Sequence, residues 1–153
     1  MEKTLLILKP SAIQRGLIGE VTLRMERKGL RLSGMKMMML NDEILDIHYS
    51  HLKEKACFPD VKNSMKRSPV IVQCWEGVDA TNVVRKMTGK TNGRDAEPGT
   101  IRGDFSVSIQ ENIVHTSDCR EAAEIELKRF FRDEELFDYK LTTHNVLYAP
   151  DEL

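Results

Sequence analysis

Asn112-Ile113-Val114-His115-Thr116-Ser117-Asp118 joins a short apolar run to a helical pattern, with a histidine at the junction. Ser117 or Asp118 can cap the helix, and Glu121 stands three residues beyond Asp118 as in a capping box. Ala123, Leu127, Phe130 and Phe131 then give one apolar face at helical spacing. A strand that turns directly into a helix indicates an α/β chain. An imidazole at such a junction is held by rigid elements yet faces the rim of the fold, where a nucleophile would be placed. An isolated histidine would by default be a surface or capping residue, so the rest of the chain has to decide.

Working outward, Thr4-Leu5-Leu6-Ile7-Leu8 closed by Lys9-Pro10 reads as a buried strand leaving its sheet. Gly16 and Gly29 bracket a helix with Leu17, Ile18, Val21 and Met25 on one face, Gly29 suiting the left-handed position after it. Leu30 and Leu32 alternate, Met35, Met37 and Met39 alternate in the opposite phase, and a bulge at Ser33-Gly34 reconciles them. Helical segments over Asp42 to Tyr49 and Pro59 to Met65 lead to a third strand, Pro69 to Trp75. A capped helix from Asp79 to Met87, ended by Gly89, and a strand over Asn112 to His115 complete the set. Between them lies a long irregular segment, Lys90 to Glu111, and a loop of that length in a small domain is usually functional. Four short strands with interspersed helices predict an α/β sandwich of the split βαβ type, its mainly antiparallel four-stranded sheet covered by helices.

The 153 residues suit a single domain over 1–153 with a C-terminal tail from about 136, large enough to bury about two-thirds of its unfolded surface. With 31% charged and 41% apolar residues, the composition is globular and not disordered. A net charge of -1 gives no bulk attraction to nucleic acid, though local basic residues can still surround a small anion. No run approaches a membrane span and Met1-Glu2-Lys3-Thr4 leads straight into the first strand, so no signal peptide and no membrane partner are expected. Three widely spaced cysteines, Cys57, Cys74 and Cys119, suit free thiols in a reducing, cytoplasmic setting. His48, His51 and Cys57 lack the fourth ligand of a compact zinc site.

Cationic and hydrogen-bonding residues stand at the ends of the expected elements: Lys9, Tyr49, Lys53 or Lys55, Arg85, Thr91, Arg102 and Asn112. Most surface lysines and arginines are merely solvated, and pattern alone assigns about half of these to that role. As a group they suit phosphoryl transfer, where catalysis is mostly positioning and neutralisation of charge on oxygen. Two near-matches to a P-loop fail. Gly29 to Lys36 has Met35 where lysine is required, and Gly89-Lys90-Thr91 has Val84 where the first glycine should stand. Bound phosphates would therefore be held by side chains and not by a glycine-rich nest.

Lys9-Pro10 after a strand, Pro98-Gly99-Thr100-Ile101-Arg102-Gly103-Asp104-Phe105, and Asn112-x-x-His115-x-Ser117-Asp118 occur in order, with Glu76-Gly77 and His48-Tyr49 between the first two. From about residue 3 onward the chain resembles the nucleoside diphosphate kinase family. The resemblance implies a ferredoxin-like fold and ping-pong transfer of the terminal phosphate from a nucleoside triphosphate to a diphosphate through a pros-phosphohistidine on His115. It implies that Lys9 and Asn112 contact the ribose, that Lys55, Thr91, Arg85 and Arg102 hold phosphate oxygens, and that Tyr49 supports the histidine. Glu126, with help from Ser117, would accept the other ring N–H of His115. Mg²⁺ would be held by substrate phosphates, with Asp118 reaching it only through water. Relatives in the family assemble as hexamers or tetramers, which implies a homo-oligomer.

Two positions depart from the family pattern. Cys57 stands where an aromatic residue commonly stacks on the base, leaving Val61 and Ile109 as apolar walls, and base–aromatic stacking is worth roughly 1–3 kcal/mol in nucleic-acid complexes. Thr116 stands where a smaller residue is usual, and its methyl and hydroxyl sit beside the nucleophile. The competing readings are a catalytically weak nucleotide-binding regulator of the same fold and a ligand-sensing module unrelated to nucleotides. His115, Glu126, Arg85, Arg102, Lys9 and Asn112 weigh against the first, which the Cys57 and Thr116 departures mildly favour, and the second leaves the polar loop motif and the histidine segment to chance.

Overall fold

The computed structural model describes residues 1–153. Its four strands are β1 (Glu2–Leu8), β2 (Arg31–Met38), β3 (Val70–Gly77) and β4 (Val114–Thr116), in the order β2-β3-β1-β4. Every neighbouring pair is antiparallel. After the short α1 (Pro10–Gln14), α2 (Ile18–Arg27) carries the chain from β1 to β2. Helix α5 (Ala80–Thr88) and the short α6 (Ile101–Phe105) carry it from β3 to β4. This is the expected ferredoxin-like split βαβ arrangement. Helices α3 (Asp42–His48) and α4 (Phe58–Lys66), between β2 and β3, and α7 (Arg120–Phe130), after β4, cover the other face.

β1 is central, and both its faces are buried. Leu5 and Ile7 join Leu45, Phe58, Met65, Val72, Leu127 and Phe130 on one side, while Leu6 and Leu8 join Val21, Met25, Trp75, Val84, Ile101 and Val114 on the other. That is why its sequence is a continuous apolar run instead of an alternating one. Truncating any one of these leucines to alanine would cost about 2–5 kcal/mol. In β2 the register slips between Leu32 and Gly34, the expected bulge at Ser33. Beyond it Met35, Met37 and Met39 all face outward.

Several local expectations are corrected. The strand expected over Asn112 to His115 is Val114–Thr116, because Ile113 has φ 74° and bends the chain just before it. Neither Ser117 nor Asp118 caps α7; Cys119 flanks it without a side-chain cap. The Ser117 hydroxyl is enclosed and turns inward to the Glu126 carboxylate, 2.5 Å away, which removes it from capping. Asp79 does not cap α5 either: its φ of 53° aims the carboxylate at the Asn82 side chain, and Glu2 of β1 accepts the Thr81 N–H instead.

The long segment from Lys90 to Glu111 is not irregular. It holds a 3₁₀ turn, Gly93–Asp95, capped by Asn92, and α6, capped by the Thr100 hydroxyl accepting from Gly103 N–H at 3.0 Å. Gly103 admits no side chain, since a Cβ there would lie 1.9 Å from the Glu97 carbonyl oxygen. The tail starts on its own chain: Phe137 N–H donates to the Ser33 carbonyl and the Tyr139 hydroxyl to that of Leu32. Arg31 anchors it through Asp138 and the buried Glu76.

Candidate active site

Residue pairing decides where the histidine points. His115 lies opposite Ile7 of β1 and emerges on the face covered by α3 and α7. From the second turn of α7, Glu126 reaches back so that both carboxylate oxygens lie 3.3 Å from His115 Nε2. An ionised carboxylate only accepts, so the ring proton sits on Nε2 and Nδ1 keeps its lone pair. Ser117 donates to the same carboxylate. Burial would raise the Glu126 pKa, but hydrogen bonding and charge from His115, with the Ser117 hydroxyl, override it and hold the group down at about 2. Nδ1 makes no hydrogen bond within the chain.

The strand that carries His115 starts from a strained turn. Val114 N–H donates to the Asn112 carbonyl at 2.8 Å, a γ-turn centred on Ile113 at positive φ. A β-branched residue held there costs on the order of 1–3 kcal/mol and persists only if its surroundings enforce it. Ile113 is wholly buried, and its carbonyl accepts from Lys9 N–H. Arg102 completes the restraint. Its Nε and Nη2 donate to the carbonyls of Asn112 and Val114, either side of the turn, and its Nη1 to that of Gly89, where φ 80° ends α5. Arg102 is thus buried and structural, although two of its five N–H groups are still uncommitted. Burial, then the nearby Arg85, lowers its pKa to about 10, so it stays charged at neutral pH.

Around His115 opens a cleft of about 940 Å³. Lys9 Nζ donates to Asn112 Oδ1 at 2.6 Å, and Asn112 Nδ2 to the Thr91 carbonyl at 2.8 Å, which ties three expected site residues together. Burial and the charge of Arg102 lower the Lys9 pKa to about 8. Such a cation lacks a full counter-charge and would be stabilised by an anion. Arg85 pairs with exposed Asp118 at 2.6 Å. Lys55 also lines the cleft, and Cys57, Val61 and Ile109 line its opposite end, with Cys57 exposed and Ile109 60% exposed. Thr116 is buried beside the histidine. The Tyr49 hydroxyl and His48 Nε2 are buried with no partner, and both residues line the cleft. Burial raises the Tyr49 pKa, so the phenol stays a neutral donor. Orphaned donors beside a nucleophile, among cations, suit a ligand rich in acceptor oxygens.

The family model described as Nucleoside diphosphate kinase matches residues 2–136. The chain belongs to the nucleoside diphosphate kinase family. A nucleoside diphosphate kinase from Parabacteroides distasonis is 66% identical over 152 residues, 99% of each chain. Nucleoside diphosphate kinase B of Homo sapiens is 43% identical over 148 residues, 97% of each. A halophilic nucleoside diphosphate kinase from Halobacterium salinarum, solved in complex with CDP, superimposes with a TM-score of 0.95 at 39% identity, covering 97% of this chain and 99% of that one. Like other nucleoside diphosphate kinases, this chain is a phosphotransferase acting on nucleoside phosphates, in a family that uses a divalent cation.

Two neighbours of the nucleophile escaped the sequence reading. His48 enters the sequence only as a motif residue and as a member of an incomplete zinc set, yet its ring meets that of His115 edge-on with centroids 4.3 Å apart. Arg129 was not singled out, yet its Nη1 lies 2.9 Å from His48 Nδ1. The available signal was spacing: Arg129 follows Glu126 by three residues and so shares its face of α7. One ligand atom from each of His48, His115 and Glu126 lie within 4.8 Å of one another, a metal-like grouping. Helices α2, α5 and the rest include none long and apolar enough to cross a membrane.

Proposed function

We propose that the chain carries the terminal phosphoryl group of a nucleoside triphosphate to a nucleoside diphosphate by way of His115, in two mirrored half-reactions. The lone pair of Nδ1 forms a bond to the γ-phosphorus as the bond to the β,γ-bridging oxygen breaks, and the nucleoside diphosphate leaves with that electron pair. Positive charge growing on the ring is balanced by Glu126 through Nε2–H, which keeps its proton. A second diphosphate then attacks the phosphorus and restores Nδ1. The observation that carries this reading is the contact of both Glu126 oxygens with Nε2, since it frees the other nitrogen.

Lys9 and Asn112 are suited to the ribose and its phosphate-proximal hydroxyl, Lys55, Thr91, Arg85 and Arg102 to phosphate oxygens, and the Tyr49 hydroxyl to the group on the histidine. Cys57, Val61 and Ile109 would enclose the base. The cation is Mg²⁺. Glu126 is committed to His115 and Asp118 is the one other cleft carboxylate, 87% exposed at its side chain and paired with Arg85, so the donor set fits an ion held by substrate phosphates and water. Bound there, Mg²⁺ neutralises charge on the phosphates. The chain works in the cytoplasm as a single domain in a homo-oligomer, a hexamer or tetramer. Support for assembly comes from β2, an edge strand whose Met35 and Met37, with Met39 just past its end, remain 43%, 56% and 55% exposed. Sedimentation reads the subunit count, and a monomer at micromolar concentration would contradict it.

Incubation with γ-labelled ATP and Mg²⁺ should label the chain with a bond stable to base and cleaved by mild acid, as expected of a phosphoramidate. His115→Ala should remove label and transfer together. Label persisting in that variant, or residing on Ser117, would overturn the mechanism.

A further inference from the structure

The Arg129–His48 contact fixes a protonation state. An arginine guanidinium is always charged and only donates. At 2.9 Å from Arg129 Nη1, His48 Nδ1 must be the acceptor, so the neutral ring carries its proton on Nε2. Neither nitrogen then has a free lone pair, which argues against reading His48, His115 and Glu126 as a metal site despite their proximity. It also explains why Nε2 appears as a buried atom without a partner: it is an N–H with no acceptor in reach.

The position of this ring makes its charge matter. His48 is 5% exposed, wedged edge-on against His115, Tyr49 and Phe130. The charged or titratable groups facing it are His115 on β4, Glu126 and Arg129 on α7, and His51 in the 3₁₀ turn Ser50–Leu52, with Tyr49 beside it. A second imidazolium here would compete with His115 for the single Glu126 carboxylate. It would also repel the positive charge that grows on His115 during attack.

We propose that Arg129 is a positioning residue for phosphoryl transfer that acts through His48, locking that ring as the neutral tautomer protonated on Nε2 so that Glu126 serves His115 alone. Arg129 lines the cleft and is only partly buried, so it can hold this contact while its remaining N–H groups stay hydrated. The inference rests on His115 being the nucleophile, but the tautomer of His48 can be read independently of it. Burial, then the charge of His115, lowers the His48 pKa to about 2, with Arg129 acting in the same direction. Loss of Arg129 therefore moves this pKa up.

The test uses the full chain with ¹⁵N-labelled histidine. In the wild type, His48 should show a protonated Nε2 and an unprotonated Nδ1, unchanged between about pH 8 and pH 5.5, well below the ordinary histidine pKa of about 6.5. In Arg129→Met the second tautomer should appear, and His48 should take up its proton at a higher pH than in the wild type. The acid limb of kcat should move to higher pH, with nucleotide KM within about twofold and kcat near pH 8 within about threefold of wild type. Arg129→Lys, which keeps a cationic donor, should return the limb towards its original place. A proton on Nδ1 in the wild type overturns the proposal, and that spectrum decides even if the methionine variant does not fold. So does an Arg129→Met enzyme whose tautomer and pH profile match wild type, or one that loses activity equally at every pH with the tautomer unchanged. Acid-labile label surviving in His115→Ala would instead remove the nucleophile assignment while leaving the tautomer result standing.

Discussion

The two ends of the cleft are built differently. At the histidine end, His115, Glu126, Ser117, Arg102, Lys9 and Asn112 are linked by hydrogen bonds to one another or to backbone carbonyls, mostly in buried surroundings. At the other end Cys57 and Ile109 are exposed and Val61 half-buried, with no polar group among their side chains beyond a thiol. Groups that meet developing charge gain from being fixed in advance, because no reorganisation is then needed during reaction. Apolar contact to a base needs no such precision and discriminates weakly. Rigid chemistry beside soft recognition suits an enzyme that must accept many bases.

The largest effects should come from the rigid end. Glu126→Gln should lower turnover by at least about tenfold with little change in nucleotide KM, because it removes the charge that balances the histidine in the transition state. Steady-state kinetics with varied donor would read this, and a KM effect alone would mean that Glu126 only shapes the cleft. Arg102→Ala should also cost at least about tenfold, but here the fold suffers as well. Releasing three carbonyls around a strained turn should lower unfolding free energy by about 2–4 kcal/mol, given the worth of charged hydrogen bonds. Denaturant titration beside kinetics separates the two losses, and unaltered stability would show that the γ-turn holds without its guanidinium staple.

A pH effect should follow in size. His48 has its pKa lowered from 6.5 to about 2, and Glu126 from 4.5 to about 2. In both cases the unfolded chain binds more protons than the folded one below the ordinary pKa, so stability falls as pH drops from about 6.5 towards 2. Lys9 acts with the same sign in a higher window. With its pKa lowered to about 8, it makes stability climb as pH rises from about 8 to 10.5. Urea midpoints across pH would check both slopes, and Glu126→Gln should flatten the acid one. The smallest effects belong to the soft end. ATP, GTP, CTP and UTP should serve as donors within about tenfold of one another, and Cys57→Phe should lower nucleotide KM without changing the acid-labile label. Strong preference for one base would break the contrast between the two ends.

Several features were legible because they depend on neighbours in the chain. The apolar run of β1, the bulge at Ser33-Gly34 and the left-handed Gly29 follow from local periodicity and backbone sterics. Both missed caps failed for one reason. Ser117 and Asp79 are good cap residues by type, but the partners their carboxylate or hydroxyl found, or the rival acceptor Glu2 supplied, lie elsewhere in the fold. The 3₁₀ turn and α6 within 90–111 were readable in principle from Asn92 and Thr100 as caps, but glycine and proline nearby masked them.

By itself the sequence determined the fold class and the identity of the chemical groups, because hydrophobic period and side-chain type are local properties. Only the tertiary structure decided which states those groups occupy. The free Nδ1 of His115, the γ-turn at Ile113, the structural burden on Arg102 and the tautomer of His48 each arise from contacts across 10 to 81 positions of chain. Burial makes such contacts obligatory, since a polar atom removed from water must take whichever partner the packing brings to it.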